Sequence, residues 1–234
     1  MPFGFGFDPT MILLLPAMGF ALWAQFKVKN TYEKFTEVPA SSGMTGRDMA
    51  RAIMTRNGVS DVNVEAVGGQ LSDHYDPGAK TVRLSEGIYD GRSISAIAVA
   101  AHEVGHVLQH HQGYFPMQLR STFVPVANLG STLATPLFFI GFLFGAKTPF
   151  GPLLMDLGIL FFAAAVLFHV VTLPVEFDAS KRALAQLTTS GAVMPQEVAG
   201  AKKVLDAAAL TYVAAAAMAA LQLIRLVLLR NSRR

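Results

Sequence analysis

Four stretches of the chain run without Lys, Arg, Asp or Glu long enough to dictate the fold: residues 9–26, 121–146, 157–175 and 207–222 with its flanks. A helix crossing a bilayer needs about 20 mostly apolar residues. The second and third stretches meet that length, the first is slightly short, and the fourth is Ala-rich with Arg225 near its end. The fourth therefore reads either as a membrane span or as an interfacial helix. Only 15% of residues are charged and 52% are hydrophobic, against about 25% charged in a soluble domain. A net charge of +3 without a basic stripe excludes nucleic acid as a partner. The chain has no cysteine, so disulfides and thiolate metal sites are excluded. A transition metal would have to sit on His and carboxylate ligands.

No basic residue precedes the first apolar run, and no small-x-small cleavage site follows it, so it reads as a retained anchor rather than a signal peptide. Lys27, Lys29 and Lys34 follow it directly. The positive-inside rule then places residue 27 onward in the cytoplasm. The expected organisation is an anchor at 1–26, a cytoplasmic domain at 27–120, a transmembrane hairpin at 121–173 linked around Lys147, a cytoplasmic segment at 174–206, and a last span or interfacial helix at 207–234. If that last segment crosses, Arg230, Arg233 and Arg234 lie outside, against the positive-inside trend.

Within the polar segment, Thr45 is placed to cap a helix over 46–56 with Met49, Ala50, Ile53 and Met54 on one face, stopped by Asn57-Gly58. Residues 62–67 alternate as a half-buried strand does. Residues 70–75 and 81–84 flank Asp76-Pro77-Gly78-Ala79 and predict a hairpin, whose edge is suited to pairing with an extended peptide. Ser93 or Ser95 caps a helix running to about His110 and ended by Gly113. Pro174 either starts a new helix over 175–187 or kinks one continuous helix. A second polar helix near 196–205 leads into the last apolar segment.

The motif that carries chemistry is His102-Glu103-Val104-Gly105-His106, in the middle of a predicted helix. Residues four apart share a helical face, so the two imidazoles converge on one metal, with Glu103 beside them to act on a metal-bound water. A catalytic zinc takes a third protein ligand. His110, one turn beyond His106, is one candidate, although it and His111 fit better as exposed residues at a helix end. The downstream acids Glu176 and Asp178 are the others. Two crossings separate His106 from Glu176, which returns both to the same membrane face. Glu176 is thus the expected third ligand, and Asp178 a group that orients a ligand histidine. His74, Tyr75, His169 and Arg182 are the candidates for steadying the developing oxyanion. His169 lies inside the third span, where an ionisable residue is a functional suspect, although a neutral histidine bonded to a neighbouring helix fits equally well.

Residues Leu71-Ser72-Asp73-His74-Tyr75-Asp76-Pro77, Thr81-Val82-Arg83-Leu84-Ser85 and Ala100-Ala101 with the zinc motif resemble the neutral zinc metallopeptidases of bacteria, the YugP-like family. Val124-Pro125-Val126-Ala127-Asn128, the 174–179 segment and the run 203–213 fit the same family, so the resemblance covers nearly the whole chain. It implies a bacterial integral membrane zinc peptidase. A more distant likeness is to HtpX-type and CaaX-prenyl-type membrane proteases, which carry Glu-x-x-x-Asp around the third ligand. Aligning Glu176 there puts Ser180 where the Asp would stand, which leaves the role of acidic partner to the first histidine open to Asp178 or another residue.

Together these readings predict a mainly α membrane protein. Its zincin-like core, with a glutamate third ligand and a small β hairpin or sheet, would be docked on about four transmembrane helices. They predict Zn²⁺ as cofactor and a protein or peptide substrate, cut at the cytoplasmic face of the bacterial cell membrane. The alternatives are a zinc hydrolase of a non-peptide amide and a catalytically silent membrane scaffold.

Overall fold

The computed structural model describes residues 8–145, 148–191 and 193–232. Lys147, Arg233 and Arg234, invoked in the topology reading above, lie outside the described residues. The chain is mainly α-helical, with α1 Leu15–Thr36, α2 Gly46–Arg56, α3 Glu86–Tyr89, α4 Ile94–His111, α5 Phe115–Phe144, α6 Phe150–Thr189 and α7 Pro195–Asn231. A 3-10 turn, Pro9–Leu14, leads into α1, and three strands, β1 Asn63–Val67, β2 His74–Asp76 and β3 Thr81–Ser85, follow α2. Among the described residues, four helical stretches are long and apolar enough to cross a membrane: Pro9–Thr36, Phe115–Phe144, Phe150–Thr189 and Pro195–Asn231. The last of these includes the Ala-rich segment. The expected mainly α membrane fold with four such helices and a small sheet is what the structure has.

The chain divides into two compact units. One takes the described residues of Met1–Trp23, Leu119–Thr172 and Tyr212–Arg234. Its packing relies on small residues that bring helix backbones together, the usual device where no hydrophobic effect separates helix from lipid. A Cβ on Gly130 would lie 2.6 Å from the Phe161 carbonyl, and one on Gly158 would lie 2.8 Å from that of Ala134, so α5 and α6 touch through glycine. Phe138, Met155 and Leu226, from α5, α6 and α7, form its apolar centre. Arg225 donates to Asp8 at 2.7 Å and to Thr10 at 3.2 Å, and Arg230 forms a two-pronged pair with Asp156 at 2.7 Å.

The other unit comprises Ala24–Gln118 and Leu173–Thr211. Local chemistry sets its elements. Thr45 caps α2 in a reciprocal box with Asp48 (3.1 and 3.3 Å). Ser93 caps α4 through the Ala96 N–H at 3.2 Å, while Ser95 is buried inside that helix and donates to the Tyr32 carbonyl. In the turn after β2, the Asp76 carboxylate accepts from the Gly78 and Ala79 amides at 2.9 and 3.0 Å. The sheet order is β1-β3-β2, with β1 parallel and β2 antiparallel to β3.

Strand β2 is shorter than the 70–75 run predicted. Leu71 adopts φ 54° and Gly69 φ 102°, which breaks the extended run before His74. The structure also has α3, a single turn in a stretch to which the sequence reading assigns no element. Helix α6 runs unbroken through Pro174, so no new helix begins there; likewise the polar 196–205 segment and the last apolar run form one helix, α7.

Candidate metal centre

Helix α4 is buried along nearly its whole length, packed with α2, the sheet and the later helices in one core. It approaches α6 unusually closely. A Cβ on Gly105, inside the His-Glu-x-x-His motif, would lie 2.5 Å from the Ala179 carbonyl oxygen. This contact brings the two motif histidines against the turn of α6 that carries Glu176. His102 Nε2 and His106 Nε2 lie 3.3 and 3.5 Å from the same oxygen, Glu176 Oε2. The three donor atoms all fall within 4.8 Å of one another. Zinc bonds of 2.0–2.1 Å in a tetrahedron put neighbouring ligand atoms about 3.3 Å apart. The two carboxylate-to-imidazole distances match that spacing, and two imidazoles with one carboxylate are a donor set that suits a small divalent ion.

The surrounding hydrogen bonds support that fit. His102 Nδ1 meets Ser180 Oγ at 3.1 Å, and His106 Nδ1 meets Gln109 Oε1 at 3.0 Å. Each ring thus engages a protein oxygen at Nδ1 and turns Nε2 toward Glu176. With a proton on each Nδ1, both Nε2 lone pairs would face the carboxylate oxygen, a repulsion that a cation between them relieves. Glu176 is 2% exposed, which makes such a cation more valuable still.

Glu103 sits beside the cluster and is itself buried. Burial pushes its carboxyl up to about 7; His102 and the Tyr75 backbone amide pull it down, whereas Glu176 and Asp73 push it further up. A divalent ion among these groups would favour the ionised form. A carboxylate poised near neutrality is suited to taking and returning a proton.

The other candidates are placed as follows. Asp178 reaches His106 only through Gln109, whose Nε2 donates to Asp178 Oδ2 at 2.9 Å and to the Val175 carbonyl at 2.7 Å. Arg182 donates to Asp178 at 2.5 Å, bonds Gln112, and lies over the Tyr114 ring. Tyr75 donates its backbone amide toward Glu103, while its hydroxyl pairs with His110 Nδ1 at 2.8 Å. His110 and His111 are exposed, and so is His74, whose Nδ1 meets the Ser72 carbonyl. His169 belongs to the other unit. Gln109 is absent from the sequence reading, although its position three residues after His106 puts it on the same helical face; Ser180 appears there only as a missing acid.

Comparison with known proteins follows from this geometry. A family model described as "Putative neutral zinc metallopeptidase" matches residues 10–231. A relative named "Putative membrane protease YugP", from Bacillus subtilis (strain 168), is 50% identical over 219 residues, covering 94% of this chain and 95% of the relative. No solved structure matches the chain.

Proposed function

The chain belongs to this family of neutral zinc metallopeptidases, and from that premise we propose that it is a membrane-bound endopeptidase cutting membrane or membrane-proximal proteins at the cytoplasmic face. The observation that carries the reading is the convergence of His102, His106 and Glu176 on one point, with Glu103 alongside. These three side chains hold the zinc that the family implies. Bound there, zinc supplies a Lewis acid that polarises the scissile carbonyl and acidifies the attacking water. Glu103 takes the proton from that water and passes it to the leaving amine.

Residues 1–26, 121–173 and 207–234 serve as the membrane part, and 27–120 with 174–206 carry the centre. The lysines at 27, 29 and 34 favour a cytoplasmic centre. Substrate enters as an added strand: the order β1-β3-β2 leaves one edge of β2 unpaired within the sheet, and Tyr75 on that strand directs its amide toward Glu103.

The test is zinc per chain in detergent-purified protein, with cleavage of a denatured protein as the activity readout. About one zinc is expected in the wild type, and a clear loss in Glu176→Ala. Glu103→Gln should keep its zinc and lose about 10²- to 10⁴-fold in rate. Full zinc in Glu176→Ala would remove the assigned ligand. No zinc in folded wild type would remove the metallopeptidase reading.

A further inference from the structure

Gln109 is fully buried, and its amide is engaged on both sides. Its Nε2 faces the Val175 carbonyl and the Asp178 carboxylate, both of which only accept hydrogen bonds from it. That settles which amide atom is nitrogen, and both of its hydrogens are then spent. The remaining atom, Oε1, only accepts. It stands 3.0 Å from His106 Nδ1 and can be bonded only by a proton there, which leaves the Nε2 lone pair for a metal; without a metal, Glu176 Oε2, 3.5 Å from Nε2, competes for a proton on that side. No other residue type of this length does both jobs. Glutamate would turn an oxygen toward the Val175 carbonyl and Asp178, and leucine would take a partner from His106, from the buried Val175 carbonyl and from Asp178, which would keep only Arg182.

We infer that Gln109 is the positioning residue that commits His106 to the Nδ1–H tautomer and so presents Nε2 to the metal, with Asp178 and Arg182 fixing Gln109 in turn. The same amide grips the carbonyl immediately before Glu176. It therefore ties the ligand-bearing turn of α6 to α4 and sets two ligands at once. Arg182, bridging Asp178, Gln112 and the Tyr114 ring, anchors the outer end of this chain of contacts. The metal half of the inference rests on the function proposed above; the tautomer half does not.

The experiment uses the full chain in detergent with Glu176→Ala, which takes the competing carboxylate away from Nε2, stripped of metal and held above the pH at which imidazole titrates. Ring nitrogen chemical shifts report each tautomer directly, with the His106 signals identified by their loss in His106→Gln. This background should show His106 as Nδ1–H alone. Adding Gln109→Leu should show it mixed while leaving His102 unchanged, a pattern that general loosening of the fold would not give. Zinc affinity, measured by competition with a chelator, should fall about 10- to 100-fold in Gln109→Leu. It should fall in Gln109→Glu as well, despite the acceptor kept opposite His106.

A His106 protonated on Nε2 in the Glu176→Ala chain overturns the inference. A folded chain with Gln109→Leu that keeps both the tautomer and the zinc affinity also overturns it. Wild-type zinc affinity in Gln109→Glu would overturn the role given to Asp178. A wild type that binds no zinc, beside a Glu176→Ala chain that shows the Nδ1–H tautomer, would instead bring down the metallopeptidase reading, and the metal half of this inference with it.

Discussion

At the scale of single residues, the centre joins groups whose preferences oppose one another in the metal-free protein. Burial lifts the Glu103 carboxyl to about 7 from an ordinary value near 4.5. The folded chain therefore holds a proton there that the unfolded chain has released, and stability falls as pH rises through that window. Glutamine keeps the shape and cannot ionise. Metal-free Glu103→Gln is expected to melt at the wild-type temperature near pH 4 and above it at pH 8. Equal melting at both values would show that burial does not press on this carboxyl. The residues of the motif were legible because a His pair four apart on a helix has few other uses. Gln109 was not, because one glutamine on a buried helix face carries no signal until its three partners are known. Ser180 was visible only as the absence of an acid, although its hydroxyl lies 3.1 Å from His102 Nδ1.

Elements were legible where a cap or a turn residue fixes them. Thr45, Ser93 and Asp76 each bond backbone amides of the turn they start or close. Continuity was harder to read, because a proline inside a long helix looks locally like a helix start. The hydrogen bond that Pro174 cannot make is one among many along α6, and the neighbouring turns carry the helix through. The contact between α4 and α6 depends on Gly105. In Gly105→Ala the new methyl meets the Ala179 backbone, which cannot swing aside as a side chain would. Overpacking of this kind costs about 1–3 kcal/mol. It should also part His102 and His106 from Glu176, so zinc affinity should fall more steeply than the melting temperature. A variant with unchanged zinc affinity would mean that the helices separate without moving the ligands.

For the whole molecule, the apolar runs foretold how many helices are fit to cross a membrane, but not which charges accompany them. Arg225 is buried and paired with Asp8, at the far end of the sequence. Removing one partner of a buried pair strands the other. Asp8→Asn is expected to destabilise the protein by about 2 kcal/mol, less than for a fully buried pair because Asp8 still meets solvent. The double variant Asp8→Asn with Arg225→Gln should recover part of that loss, and thermal melting in detergent reads both. No recovery would mean that the two side chains do not act as a pair.

The order of the ligands along the chain carries a further consequence. His102 and His106 are synthesised first, and Glu176 follows only after the two long apolar helical runs of α5 and early α6. On the proposed assignment, a chain whose synthesis has not yet reached Glu176 owns two ligands of three and no competent centre. Such a protease needs no propeptide to keep it silent during its own synthesis. Completion of the centre waits on the apolar runs that precede Glu176.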